Sequence, residues 1–145
     1  MTRRQVRLAH CYRCVHTWRM RNRLPRMCPR CKSLYWNTPK IRPVHLGQGL
    51  GIPEVLGPHR SEILRLARRF GVENIRVFGS VRRREAGEKS DVDLLVNWPP
   101  DCSILKTSEF RVALQELLGR KVDTVEERFL HWAVRPQVLA EALPL

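Results

Sequence analysis

The apolar positions from residue 58 onward repeat with the periods of helices and strands. Residues 61–70 place apolar side chains on one helical face and arginines on the other, and Gly71 follows as a helix stop. Residues 75–78 alternate as a short strand that runs directly into Gly79 and Ser80. The pattern therefore predicts a helix, a strand and then a glycine turn.

Two further strands and two further helices are expected in the same part of the chain. Residues 91–97 and 121–125 are apolar segments of strand length, each interrupted by aspartate. Residues 108–118 repeat the helical spacing, with Ser108 as the expected N-cap and a glycine as the stop. A last helix is expected to begin near Pro136, because proline suits the first turn of a helix.

The first part of the chain lacks this periodicity and differs in charge. The protein has 145 residues, with 27 Lys and Arg against 14 Asp and Glu. Residues 1–57 hold twelve of the basic residues and a single acid, whereas residues 58–145 are nearly balanced. Such a charge step indicates two units with different partners. We therefore expect one domain over residues 1–39, a glycine- and proline-rich linker over residues 40–57, and a second domain over residues 58–145.

The distribution of apolar residues also indicates where in the cell the protein is expected. No apolar run approaches the ~20 residues of a membrane helix. Residues 1–25 are basic and lack the apolar core of a signal peptide. We therefore expect a cytoplasmic protein without a membrane partner.

Four of the five cysteines lie in the basic part as two C-x-x-C pairs. Cys11 and Cys14 are separated by thirteen residues from Cys28 and Cys31. Each pair can fold as a tight turn that directs two sulfurs to one point, and two such turns complete a tetrahedron around Zn²⁺. Disulfides are the alternative, but in a chain without a signal peptide such pairs more often bind metal. We therefore predict a structural zinc ion.

The segment around these cysteines resembles zinc ribbons, and Trp18, Tyr35 and Trp36 are its expected packing residues. His10 and His16 could replace a cysteine, but four cysteines at this spacing already complete the site. Basic and aromatic residues surround the pairs, so the ribbon is expected to contact either nucleic acid (RNA or DNA) or an acidic protein. The basic residues are Arg13, Arg19, Arg21, Arg23, Arg26, Arg30 and Lys32.

The second domain carries aspartates on its expected strands. Asp91 and Asp93 project to one face, because side chains at i and i+2 of a strand do so, and Asp123 lies on the following strand. A carboxylate pair alone is common at an exposed sheet edge. Here Gly79 and Ser80 lie upstream at a strand-to-helix turn, where backbone N–H groups and a hydroxyl can bind phosphate. Three carboxylates beside a phosphate site fit two-metal phosphoryl or nucleotidyl transfer.

These motifs resemble the minimal nucleotidyltransferases of the DNA polymerase β superfamily. The match begins with Val77-Phe78-Gly79-Ser80, continues after ten residues with Asp91-Val92-Asp93, and includes Val122-Asp123. It extends over residues 58–145. The resemblance implies an α+β fold with a palm-like mixed sheet flanked by helices, here preceded by a small four-cysteine zinc-ribbon domain.

The resemblance also implies roles for single residues. Gly79 and Ser80 would hold the phosphates of ATP, and Arg83 would contact the triphosphate, since it falls where the family often keeps an arginine. The three aspartates, Asp91, Asp93 and Asp123, would bind two Mg²⁺ ions. Arg84 departs from the family, which usually has glycine there.

In this family, minimal nucleotidyltransferases are commonly antitoxins of HEPN-domain toxins, and some transfer AMP to a toxin tyrosine. The resemblance implies the same for this chain. The second domain, with about 88 residues, has no room for template-handling domains, which excludes a template-directed polymerase. Two alternatives stay open: a non-catalytic antitoxin that only binds its toxin, and a regulator whose ribbon binds nucleic acid.

Overall fold

The N-terminal part of the chain is a small two-stranded unit. The computed structural model of the protein describes residues 7–20 and 23–145. Strands β1 (Leu8–His10) and β2 (Thr17–Arg19) pair antiparallel on either side of the first cysteine pair. Arg21, one of the basic residues assigned to the ribbon, lies outside the described residues.

The core of this unit is an aromatic pair beside two cysteines. Trp36 is buried and contacts Trp18 edge-on, with ring centroids 5.0 Å apart, and its Nε1 donates to the carbonyl of Pro25 at 2.9 Å. These two tryptophans pack as predicted. The prediction for Tyr35 is wrong: its side chain is 67% exposed. So small a core cannot hold a fold without a further cross-link.

The rest of the chain folds as a four-stranded sheet with helices. Its strands are β3 (Glu73–Phe78), β4 (Val92–Asn97), β5 (Val122–Glu126) and β6 (Leu143–Pro144). Its helices are α1 (Ile52–Val55), α2 (Arg60–Phe70), α3 (Gly79–Arg82), α4 (Ile104–Leu118) and α5 (Arg135–Glu141), with single 3₁₀ turns at Gly57–His59 and Glu127–Phe129. This is the α+β mixed sheet flanked by helices that the resemblance implied.

The strand order β5-β4-β3-β6 makes the sheet mixed. Strand β4 is antiparallel to β3 and parallel to β5, and β6 is antiparallel to β3. Helices α2 and α4 pack on each other beside it, with the ring of Phe110 lying 5.5 Å from those of Phe70 and Trp98. The central strand β4 is buried at four of its six positions, so the polar ends of the strands are what reach solvent.

Helix α4 begins earlier than its apolar spacing predicted. Ser103, not Ser108, is the N-cap, because its hydroxyl accepts from the backbone N–H of Lys106 at 3.3 Å. Ile104 and Leu105 in the first turn are 84% and 75% exposed. An exposed first turn carries no amphipathic signal, so periodicity alone cannot place this boundary.

Part of the segment predicted as a linker is structured. Helix α1 lies within it, and Val55 and Leu56 are buried in the main hydrophobic core. The division of the chain at residues 39 and 57 stays a prediction. Among the helices of the described residues, none is both long and apolar enough to span a bilayer.

Candidate metal centre and candidate active site

The four paired cysteines converge on one point. The Sγ atoms of Cys11, Cys14, Cys28 and Cys31 all lie within 4.8 Å of one another. Cys11 and Cys31, and likewise Cys14 and Cys28, are 3.7 Å apart at sulfur. A tetrahedral zinc ion with zinc–sulfur bonds of ~2.3 Å requires sulfur–sulfur edges of about 3.8 Å. The cluster therefore fits zinc, and the sulfurs are too far apart for disulfides.

Each cysteine pair is held by the same backbone turn. Val15 N–H donates to the carbonyl of Cys11 at 2.9 Å, and Lys32 N–H donates to that of Cys28 at 3.0 Å. Val15 and Lys32, each directly after the second cysteine of its pair, share a left-handed φ of 60°. This conformation is costly for valine, so the closed turns need a compensating cross-link.

Charge on the sulfurs is set by burial and by backbone amides. Burial raises the pKa of the Cys14 thiol to about 11. Burial also opposes ionisation of Cys28, but the N–H groups of Cys31 and Arg30 outweigh it and lower the pKa of Cys28 to about 7. A divalent ion would favour the thiolate at every position, which is the ordinary chemistry of a zinc site with four cysteine ligands.

The sequence-predicted aspartates meet at one end of the sheet. Asp93 on β4 is in register with Asp123 on the parallel strand β5, so their side chains are neighbours. Asp91 lies just before β4, two residues from Asp93, and thus faces the same way. On the other side of β4, Phe78 at the end of β3 is the register partner of Asp93. The register therefore brings the end of β3 and all three aspartates together.

Gly79 lies directly against Asp93. Its φ is +73°, and a Cβ at this position would overlap with Oδ2 of Asp93. Only glycine tolerates both the left-handed backbone and this approach. Ser80, the next residue in α3, is half-buried at the same turn. The Gly-Ser pair thus adjoins the carboxylates, as a phosphate site beside a metal site requires.

The carboxylates are crowded with negative charge. Burial, together with the charges of Asp123 and Asp91, raises the pKa of Asp93. Lys121, which the sequence reading missed, partly offsets the charge: its Nζ lies 2.8 Å from Asp91 Oδ2 and 4.0 Å from Asp123 Oδ2. Within residues 7–20 and 23–145, the cysteines form the one tight cluster of metal-binding side chains, so the aspartates adjoin one another without converging on one point.

A divalent cation fits these carboxylates by its chemistry. Their oxygens are the ligands that Mg²⁺ prefers, and a bound cation would offset the charges of Asp91 and Asp123 that, together with burial, raise the pKa of Asp93.

The side chain of Lys121 is 62% exposed. Its contact with the aspartates could have been suspected from the sequence, because Lys121 lies two residues before Asp123 and therefore on the same face of the strand.

A buried glutamate connects the glycine turn to Arg83. Glu141 at the end of α5 is 4% exposed, and its Oε1 accepts from Gly79 N–H at 3.1 Å and from Arg83 Nη1 at 3.0 Å. Arg83 also donates from Nε to Glu85 at 2.8 Å, and the bond to Glu85 is the main reason that the pKa of Arg83 is raised. Glu141 thus fixes the arginine beside the turn. No pattern in the sequence assigns this role to Glu141.

The departure at Arg84 leaves the turn intact. Arg84 has a φ of 56°, the conformation for which the family's usual glycine is suited. Its guanidinium pairs with Glu54, with Nη2 lying 2.7 Å from Glu54 Oε1. The substitution therefore strains the backbone locally without removing a group from the site.

The part of the chain that carries this site is similar to known proteins. Residues 61–145 match the family model described as the nucleotidyltransferase domain. Protein adenylyltransferase MntA of Thermococcus cleftensis is 42% identical over 92 residues, which are 63% of this chain and 90% of that protein. The MJ1217 protein of Methanocaldococcus jannaschii, whose name proposes a protein adenylyltransferase, is 38% identical over 80 residues, or 55% of this chain and 79% of that protein.

Solved structures with a similar fold belong to the same kinds of protein as the relatives found by sequence. A structure described as a proposed minimal nucleotidyltransferase is 44% identical, has a TM-score of 0.58, and matches 68% of this chain and 100% of its own. A toxin–antitoxin complex with AMP-PNP contains a chain with the same fold at 23% identity and a TM-score of 0.52, over 59% of this chain and 71% of that one. Since the family model covers more than half of the protein and its motifs meet in one site, the chain belongs to the nucleotidyltransferase domain family.

Proposed function

We propose that the protein transfers AMP from ATP to a protein hydroxyl in a Mg²⁺-dependent reaction, as the antitoxin of a HEPN-domain toxin whose tyrosine is the acceptor. The main observation behind this proposal is that Asp93 pairs in register with Asp123 and lies directly against Gly79. The relative that is 42% identical and named a protein adenylyltransferase supports both the nucleotide and the protein acceptor.

The carboxylates and the phosphate-binding groups of the site take different parts in the proposed transfer. Asp91, Asp93 and Asp123 would hold two Mg²⁺ ions, which supply activation of the attacking oxygen and neutralise charge on the leaving pyrophosphate. Gly79 and Ser80 bind the outer phosphates, and Arg83 pairs with their charge.

The transfer exchanges a phosphoanhydride bond of ATP for a phosphate ester bond to the acceptor. The hydroxyl oxygen of the acceptor bonds to the α-phosphorus, while the bond from that phosphorus to the bridging oxygen breaks. Pyrophosphate leaves with the electron pair of the broken bond, and the hydroxyl proton passes to the carboxylate of Asp123.

Labelling of the toxin tests this function. The zinc-loaded protein is incubated with Mg²⁺, ATP labelled at the α-phosphate and a purified HEPN-domain protein. The variant Asp91→Asn/Asp93→Asn is expected to lose more than about 100-fold in labelling rate, because two oxygen ligands lose their charge. Asp101→Asn is the matched control, since Asp101 is an exposed loop residue, and it should label like the wild type.

The outcomes separate the possible functions. Equal labelling by the double variant would rule out metal-dependent catalysis at these aspartates. A double variant that labels nothing but still neutralises the toxin would favour an antitoxin that acts by binding. Labelling of the toxin at a residue other than tyrosine would keep the activity and correct the acceptor.

A further inference from the structure

The basic N-terminal part of the chain faces the candidate active site across a cavity of about 600 Å³. One wall comes from the nucleotidyltransferase domain and includes Phe78, Gly79 and Arg83. The opposite wall comes from the ribbon and the segment after it, both upstream of the residues that match the family. Its residues are Tyr12, Arg13, Lys40 and Arg42.

Aromatic contacts hold the ribbon in this position. Trp132, in the segment before α5, lies with its ring centroid 4.7 Å from that of His10 and 5.3 Å from that of Tyr12. Arg13 in turn donates from Nε to the carbonyl of Tyr35 at 3.2 Å, which directs its side chain within the ribbon. The first cysteine turn is thus seated on the second domain next to the cavity.

Backbone contacts hold the segment that follows. Arg42 donates its N–H to Gln137 Oε1 at 2.7 Å and accepts from Gln137 Nε2 at 3.3 Å. The N–H groups of Gly47 and Gly49 donate to the carbonyls of Arg83 and Arg84 at 2.8 and 2.7 Å. The segment is therefore fixed to the loop after the glycine turn and does not behave as a free tether.

The charges around the cavity favour a polyanion. Arg13, Lys40 and Arg42 add three cations to Arg83. Glu141, an acidic residue of the lining, already accepts hydrogen bonds from Arg83 and from the N–H of Gly79. A cleft with excess positive charge raises the local concentration of an anion, and charge-assisted hydrogen bonds to phosphate oxygens strengthen its binding. None of the three aspartates lines the cavity, and Gly79 is the link to them, because it lines the cavity while the position of its Cβ lies against Asp93.

We propose that the ribbon and the following segment form the second wall of the nucleotide site, and that Arg13, Lys40 and Arg42 bind the polyphosphate of a nucleoside triphosphate. The proposal deepens the function above and rests on it. It assigns three of the ribbon-side charges to the protein's own substrate. The zinc ion then acts on nucleotide affinity, because it holds the turn that carries Arg13.

Direct binding measurements test this role. The dissociation constant of Mg²⁺-ATP is measured by calorimetry with the full zinc-loaded chain at fixed ionic strength. The variant Arg13→Gln/Lys40→Gln/Arg42→Gln should raise it about tenfold or more, because three charge contacts to phosphate are lost. It keeps the backbone contact of Arg42 with Gln137. Binding of AMP should change about twofold or less, since AMP lacks the outer phosphates.

The matched control removes the same charge from another face of the ribbon. Arg19, Arg26 and Arg30 are exposed and do not line the cavity, so Arg19→Gln/Arg26→Gln/Arg30→Gln should leave the ATP constant within about twofold. Equal weakening by both triple variants would reduce the effect to net charge and overturn the proposal. Unchanged ATP binding in the cavity variant would also overturn it, and loss of affinity for a mixed-sequence RNA instead would assign these charges to nucleic acid.

Failure of the proposed function gives a different result. A wild type that binds Mg²⁺-ATP with the predicted difference between the triple variants, but labels no protein, would contradict the transfer and support the nucleotide wall. A wild type that binds no nucleotide would contradict both.

Discussion

Single residues in left-handed conformations determine the shape of both sites. Gly79 has a φ of +73° and lies against Asp93, whereas Gly119 has a φ of +61° and no atom within 4 Å of the position of a Cβ. A side chain at Gly119 would therefore meet only the cost of the left-handed backbone, whereas a side chain at Gly79 would also clash with Asp93. Val15 and Arg84 show that this protein also accepts the first cost without glycine.

Substitution of the two glycines by alanine should give different losses. Gly119→Ala is expected to lower the free energy of unfolding by about 1–2 kcal/mol, the cost of the left-handed conformation alone. Gly79→Ala should lower it by about 2–5 kcal/mol, because a Cβ also displaces Asp93. Urea denaturation measures both values. Equal losses would show that the turn can move away from Asp93 without cost.

At the scale of elements, the glycine-rich segment acts by close packing. A Cβ on Gly47 would lie 2.6 Å from the carbonyl oxygen of Arg84, and one on Gly49 would lie 2.8 Å from that of Ala86. Leu50 continues the pairing, with its N–H donating to Ala86 at 2.8 Å. Glycine is needed here because two backbones approach each other, and not because the segment has to bend freely.

Gly49→Ala should therefore destabilise the protein. A methyl group at this position meets backbone carbonyls that cannot rotate away, and the expected loss is about 1–3 kcal/mol of unfolding free energy. Gly87→Ala is the matched control, because the nearest atom to its Cβ would be Ser90 Oγ at 3.9 Å, and it should lose less than about 1 kcal/mol. Thermal or urea unfolding compares the two. A neutral Gly49→Ala would indicate a segment that is free in solution.

At the scale of the whole molecule, two separate cores are joined across the cavity. The ribbon core contains Ala9, Cys11, Cys28 and Trp36, and the larger core is built on the sheet and its helices. Four side chains bury too little apolar surface to fold the ribbon alone, so we expect its structure to depend on a bound metal. The larger core contains no cysteine, so we expect it to persist without the metal.

Zinc removal should therefore unfold one part of the chain only. A strong chelator is expected to remove one zinc ion per chain and to shift the fluorescence of Trp18 and Trp36 towards that of exposed indole, while circular dichroism from the helices persists. Cys28→Ser should bind zinc at least about 100-fold more weakly, and Cys102→Ser should bind it normally, because Cys102 lies outside the cluster. Loss of all helical signal on chelation would contradict two independent cores.

The same site should show a defined dependence on pH. Burial raises the pKa of Cys14 to about 11, so this thiol is protonated at neutral pH before metal enters. Zinc binding must displace that proton, and zinc affinity should therefore rise as pH increases and fall as pH decreases. Competition with a chromophoric chelator between about pH 6 and pH 8 measures the trend. An affinity independent of pH would mean that the thiols are already ionised.

Local patterns in the sequence predicted the elements that build the site, and they failed where contacts are tertiary. Helix α2, strand β4 and the Cys-x-x-Cys turns depend on neighbours in sequence, and their prediction was close. The first turn of α4 and the position of Tyr35 were missed, because exposed positions leave no periodic signal. The role of Lys121 was missed because its spacing from Asp123 does not reveal the contact with Asp91 across the strands. The assignments of Asp91, Asp93 and Asp123 to Mg²⁺ stay predictions.

The sequence by itself determined the chemistry: four thiols at zinc spacing, aspartates at i and i+2 of a strand, and a glycine turn before them, all of which are short-range patterns. Only the tertiary structure showed which residues of the N-terminal part lie across the cavity from the glycine turn. The charge excess of residues 1–57 shows that this part of the chain is basic, but not which surface its basic side chains face. The contacts of Trp132, Gln137 and Gly49 turn part of it towards the cavity, because packing between distant segments, and not local spacing, determines which surface a charge faces.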